Sequence, residues 1–216
     1  MARSYRWLGG VGYILGLVPY IGLISLIPIA VAWILMGRDT RERIFTILGI
    51  LMVITYSFAI AFAAWLVFSL MWPLAVPWGM GGAPGIPAQL LSIIVIVVAL
   101  LLIGLATASF ILDIIAHFRA GRIFNSRWFR AAGWARIILA VALIAVIAFM
   151  ALTIISAVPR PLPAIPPLLE VPYAAFTPLL ALFWPLAIAL LIDLLATIFS
   201  IVAFFTIPGE ATPAPS

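Results

Sequence analysis

Four stretches of the chain, residues 44–72, 89–116, 137–158 and 179–207, are apolar almost without interruption. A hydrocarbon core is about 30 Å thick and a helix rises about 1.5 Å per residue, so about 20 apolar residues are enough to cross it. Lipid offers no partners to backbone N–H and C=O groups, and a single apolar run satisfies its own only as an α-helix. The runs therefore dictate an all-α integral membrane protein with four full spans. Composition agrees: 67% of the 216 residues are hydrophobic and 8% charged, more apolar surface than a soluble domain of this size can hide. Residues 1–207 read as one membrane domain, and 208–216 as a short polar C-terminal tail.

Charge orients the spans. All eleven basic residues are arginine, and the net charge is +5. In a soluble protein such a balance suggests nucleic acid; here it reads as topogenic charge facing anionic lipid headgroups, with no nucleic-acid role. Arg38, Arg41 and Arg43 cluster between the first segment and the run at 44–72, and Arg119, Arg122, Arg127, Arg130 and Arg136 fall in the stretch 117–136. The two proline-rich connections, 73–87 and 159–178, hold only Arg160. Arginines gather on the cytoplasmic side of short loops, so the basic connections and the C-terminus are expected inside a cell membrane. Trp72, Trp78 and Trp184 then flank outer ends, and Trp33, Trp128 and Trp134 inner ones, as interfacial aromatics. With no cysteine there is no disulfide framework and no thiolate metal site.

The first apolar segment, residues 8–36, is broken. Pro19 lacks a backbone donor, and Gly16 and Gly22 loosen the chain on either side of it in "GLVPYIG". The segment either turns back near Pro19 as two short helices or crosses as a fifth span; the hairpin is the reading adopted, because it leaves ten of the eleven arginines on one side. Gly12 and Gly16 form a GxxxG pair that suits close helix packing. A faint internal echo accompanies this: Phe45 and Gly49 recur as Phe129 and Gly133, both 84 positions on, at the start of a span.

Three stretches carry a resemblance: "LGGVGYILGLVPYIGLISLIPIAVAWILMG", "GRIFNSRWFRAAGWARIILAVAL" and "LIDLLATIFSIVAFFTIP". Through glycine, proline and aromatic placement they resemble a family of archaeal membrane proteins, domain of unknown function number 996. The proline-rich outer connections depart from that pattern. The opening segment is also similar, more loosely, to the first segment of small four-span bacterial families related to a chloroplast import channel component. Neither resemblance implies catalytic residues, and none are assigned.

Polar residues inside the runs are few. Asp193 lies near the middle of the last one, where a charged carboxylate costs about 2.5 to 3.5 kcal/mol on insertion scales, so it is expected to be protonated or paired. Thr197 and Ser200 follow on the same helical face. A second polar stripe, Ser109, Asp113 and His117, recurs at every fourth residue. Two ligands do not make a metal site, so no metal or other cofactor is assigned. Arg119, Arg122, Arg127 and Arg130 alternate with aromatics, including Trp128 and Trp134, a combination suited to a helix in the headgroup layer that Asn125 or Ser126 would cap. The glycine-rich 79–85 lacks the Lys-Ser/Thr of a phosphate loop.

The expected function is that of a non-catalytic membrane scaffold or accessory subunit, with lipid and other membrane subunits, or a second copy, as partners. The alternatives are a small solute, proton or cation transporter or channel using Asp193, and an interfacial lipid-binding protein or membrane enzyme working through Asp113, His117 and the arginines.

Overall fold

The computed structural model describes residues 4–18, 22–75, 88–157 and 171–208. Six helices follow in order: α1 (Ser4–Gly16), α2 (Gly22–Thr40), α3 (Arg43–Ala75), α4 (Ala88–Ile123), α5 (Arg127–Ala157) and α6 (Val171–Phe205). There is no strand among the described residues. Helices α3 to α6 are each long and apolar enough to cross a membrane. Pro19, the proposed breaking residue, lies outside the described residues, as do Arg160, the glycine-rich 79–85 and the tail beyond Pro208.

The chain divides into two compact units. One holds α1 to α3, α4 as far as Ala116, and Ile207; the other runs from His117 to Thr206.

In the first unit α1 and α2 form an antiparallel hairpin. Tyr5 Oη donates to Asp39 Oδ2 at 2.8 Å near the open end. A Cβ on Gly12 would lie 2.7 Å from Ile29 Cγ1 and 3.0 Å from its backbone nitrogen, and one on Gly16 would lie 3.3 Å from Ser25 Oγ. The GxxxG pair is thus the surface on which the two backbones approach, as small residues permit. Leu17 and Val18 N–H groups close the end of α1 on the carbonyls of Ile14 and Leu15 at 3.1 Å, and α2 begins at Gly22. Pro28 sits within α2 without ending it. Helix α3 packs on the other side of α2, where a Cβ on Gly49 would meet Ala30 O at 2.6 Å.

Two sequence expectations need correcting. The stretch 117–136 is almost wholly helical: α4 continues to Ile123, α5 starts at Arg127, and only Phe124, Asn125 and Ser126 join them. Arginine is a good helix former, and the helix expected among these arginines is formed by the ends of α4 and α5 instead of a separate segment between them. Trp33, read as an interfacial anchor, is fully buried and lies against Phe45 with ring centroids 5.4 Å apart.

The α4–α5 junction shows how a helix is stopped without glycine or proline. Asn125 takes a left-handed conformation (φ 47°), the Ser126 N–H reaches Gly121 O at 3.1 Å and the Asn125 N–H reaches Arg122 O at 3.4 Å. This is the Schellman pattern, with asparagine tolerating the position glycine usually fills. Asn125 therefore closes α4. Ser126 Oγ, the other candidate cap, is buried with no hydrogen-bond partner.

The α2–α3 junction shares the left-handed residue and the close glycine approach, 84 positions earlier. Arg41 takes the left-handed place of Asn125 (φ 57°). A Cβ on Gly37 would lie 2.7 Å from Thr46 N and 3.1 Å from Glu42 O; on Gly121 it would lie 3.2 Å from Arg130 N and 3.3 Å from Ser126 O. The Trp33–Phe45 ring pair recurs as His117–Phe129 at 5.9 Å. Ala32 and Ala116, Met36 and Ala120, and Leu48 and Ala132 are all fully buried at matching positions. The echo of Phe45 and Gly49 in the sequence is thus one part of a repeated helix–turn–helix.

Candidate functional site

The second unit encloses a polar cluster. His117 from α4, Arg136 from α5 and Ser200 from α6 are 0%, 6% and 0% exposed. Arg136 Nη1 donates to Ser200 Oγ at 3.0 Å and lies 3.3 Å from Ala132 O, on the preceding turn of its own helix. Ser200 Oγ donates to Ala196 O at 2.9 Å, and His117 Nε2 lies 3.3 Å from Ser200 Oγ. A hydroxyl has one proton and two lone pairs. With the proton on the Ala196 carbonyl, both lone pairs accept, from Arg136 and from Nε2–H of His117. One serine oxygen therefore ties three helices together.

Aromatic rings surround this cluster. Phe129 is fully buried, 5.9 Å from the His117 ring, 6.1 Å from Phe124 and 5.3 Å, edge on, from Phe204. A histidine beside a serine invites a nucleophile reading, but this hydroxyl is fully enclosed and occupied on all sides. Its chemistry is that of a clamp: buried polar groups that satisfy one another fix helix register.

Sequence reasoning placed Ser200 and His117 on separate stripes and counted Arg136 among the loop arginines. The available signal was the run of small residues at Ala132 and Ala135, both buried, which marks the face of α5 from which Arg136 also projects. In the repeated arrangement Met52 occupies the place of Arg136, 84 residues earlier, so the clamp belongs to the second unit alone.

A second feature lies in the first unit. Between α2, α3 and α4 there is an open cleft of about 430 Å³, with Ser109, Asp113, Thr55 and Tyr56 in its wall. Thr55 Oγ1 and Ser109 Oγ are hydrogen-bonded at 3.2 Å, and Asp113 is 7% exposed. Two of the three residues of the Ser109, Asp113, His117 stripe thus meet at a cavity. Thr55 and Tyr56, isolated hydroxyls in the run at 44–72, were not singled out from the sequence.

Asp193 is exposed on α6 and Thr197 is half-buried. Their shared face with Ser200 does not give them a shared environment: Asp193 lies seven residues, about 10 Å, along the helix from the clamp. Asp193 and Thr197 stand 84 positions after Ser109 and Asp113. Each repeat therefore places one hydroxyl and one carboxyl a turn apart, in opposite order.

Arg119, Arg122, Arg127 and Arg130 are all exposed. Arg127 stacks over Trp128, its guanidinium carbon 5.4 Å from the ring centroid, and Trp128 in turn lies 6.1 Å from Phe199. Trp134 is exposed and meets Phe118 edge on at 5.6 Å. Among the described residues no group of three His, Asp or Glu side chains is placed to hold a metal ion. No protein-family model, curated protein or solved structure matches the chain.

Proposed function

We propose that this multi-pass membrane protein is a non-catalytic structural or accessory subunit that assembles with other membrane-embedded chains through the Asp193 face of α6. One observation carries this reading. The apolar span in α6 runs from Phe183 to Phe205, and Asp193, near its centre, is exposed on the surface of the chain. A polar residue on the surface of a span at that depth is placed more favourably against a neighbouring helix than against hydrocarbon. The clamp supports the same reading, since the enclosed polar groups of the second unit serve to hold helices in register.

In this account the basic helix junctions and the C-terminus face the cytoplasm, where the exposed arginines meet anionic headgroups. Membership of the archaeal family of domain of unknown function number 996 belongs to the same proposal and rests on the three stretches quoted above.

The chain contains no cysteine, so a single introduced thiol reports cleanly. Leu190, 62% exposed and one turn before Asp193, is replaced by cysteine carrying a photo-crosslinker; Ile144→Cys, 67% exposed on α5, serves as the control. Irradiated in native membranes, Leu190→Cys is expected to give a discrete protein adduct that Ile144→Cys does not give and that Asp193→Leu removes. Lipid adducts alone from both positions would overturn the proposal.

A further inference from the structure

We propose that the groove between α5 and α6 is a binding site for one phospholipid with an anionic head, its chain lying in the groove and its phosphate held by Arg127. This deepens the reading on which it rests, that the exposed arginines meet anionic headgroups, and gives that contact one place in the fold.

The groove lies wholly within the second unit. It encloses about 310 Å³, with Trp134, Ile138, Ile192, Leu195 and Phe199 as walls around the small side chains of Ala131 and Ala135. That volume is at the low end of the roughly 300 to 1,000 Å³ typical of ligand pockets, as suits a single chain. The two alanines make the room: 84 positions earlier the repeat carries Ile47 and Leu51 in their places.

A cation stands at one end of the groove. Arg127, Ala131, Trp134 and Ile138 follow one another at steps of four, three and four residues, which is one stripe of α5. Arg127 is exposed, and it is the first residue both of α5 and of the apolar span within it. It lies four residues, about 6 Å along the helix, from Ala131, where hydrocarbon gives way to headgroups. Trp128 joins it to the groove: the Arg127 guanidinium carbon is 5.4 Å from the Trp128 ring centroid, and that ring is 6.1 Å from Phe199 in the groove wall.

The chemistry at this end selects the occupant. Stacking uses the face of a guanidinium and leaves the N–H donors at its edge, a fork that matches two oxygens of a phosphate. Asp193 is the only acidic side chain among the described residues of the second unit. It lies six residues, about 9 Å along α6, from Phe199, so it does not stand at the level of Arg127. A cationic head would meet like charge there, and a free phosphate would leave the apolar groove unfilled. An anionic phospholipid matches both parts at once. Arg130 provides the contrast, since it is exposed but its stem lies toward α4, where a Cβ on Gly121 would stand 2.7 Å from Arg130 Cγ.

The test uses the full chain in nanodiscs of phosphatidylglycerol and phosphatidylcholine in equal amounts and with identical chains, and native mass spectrometry counts the lipid retained on the protein. A single phosphatidylglycerol is expected to stay bound, at about fivefold the occupancy of phosphatidylcholine, the preference one arginine gives near an anionic headgroup. Arg127→Gln is expected to bring that ratio to about one, and Arg130→Gln to leave it unchanged. Ala131→Phe, which fills the groove, is expected to remove the retained lipid of either kind.

Equal retention of the two lipids on the unaltered chain would overturn the proposal. So would the same loss of preference in Arg130→Gln as in Arg127→Gln, since that is what diffuse surface charge gives, or full retention in Ala131→Phe. If Ala131→Phe fails to elute as a folded particle, Ala131→Ile, which copies the side chain of Ile47, replaces it with the same loss expected. The count is taken on the isolated chain, so it reads the groove whether or not the Asp193 face has a protein partner.

Discussion

Replacing Phe129 by alanine is expected to destabilise the second unit by about 3 kcal/mol, the low end of the range for burying-to-empty aromatic changes. The side chain is fully buried and lies at the meeting point of Phe124, His117 and Phe204. Removing it opens a cavity beside the clamp, and helix association in lipid depends on packing because the tails are as apolar as the side chains. The low end is chosen for that reason: the hydrophobic transfer part of the penalty is weaker here than in a soluble core. Reversible unfolding of the purified protein in mixed micelles, followed by circular dichroism, measures the change. Phe129→Leu is expected to lose much less. Equal stability of Phe129→Ala and the unaltered protein would show that the aromatic cluster contributes nothing to the second unit.

Gly49→Val is expected to cost a comparable amount in the first unit, by the opposite mechanism. A Cβ at Gly49 would stand 2.6 Å from Ala30 O and 3.2 Å from Ile34 N, both backbone atoms of α2. Backbone cannot swing aside as a side chain does, so α2 and α3 must separate, at a cost of about 1 to 3 kcal/mol or more. Gly104 provides the contrast, because a Cβ there meets nothing within 4 Å. Gly104→Ala is expected to be neutral or stabilising by up to about 1 kcal/mol, from helix propensity alone. The pair separates close packing from the general effect of removing a helical glycine, in the same unfolding measurement.

These effects also show which parts of the structure were legible in the sequence. The four long helices were, because about 20 apolar residues in lipid have one backbone solution. So was a break in the first segment, since Pro19 and its flanking glycines remove the donor and the stiffness a continuous helix needs. Gly12 and Gly16 pointed to a close helix contact, and they form it with α2. The stretch 117–136 was less legible: arginine content reports which side of a membrane a segment faces, and it says little about whether the backbone stays helical. Trp33 shows the same limit from another side, because an aromatic at a span end serves an interface or a core depending on neighbours that sequence does not place.

The clamp shows why the candidate residues were only partly resolved. Ser200 and His117 were each visible as polar residues in apolar surroundings, but they are 83 positions apart, and their meeting depends on how three helices pack. Arg136 was hidden by its own kind: one arginine among five in a basic stretch looks topogenic until its guanidinium is seen to turn inward. The internal repeat was legible only as Phe45 and Gly49 recurring at Phe129 and Gly133. Its stronger signature, two left-handed residues and two glycines each facing the start of the next helix, is backbone geometry that side-chain identity does not record, since Arg41 and Asn125 have little in common.

The account's central claim is that the chain works within an assembly, and the most direct measurement is the composition of the particle that carries it. Extracted from its native membrane in mild detergent, the 23.3 kDa chain is expected in a larger particle with other membrane proteins at fixed stoichiometry, and Asp193→Leu is expected to release it. A particle containing only this chain, with the same size for the Asp193→Leu variant, would contradict the claim.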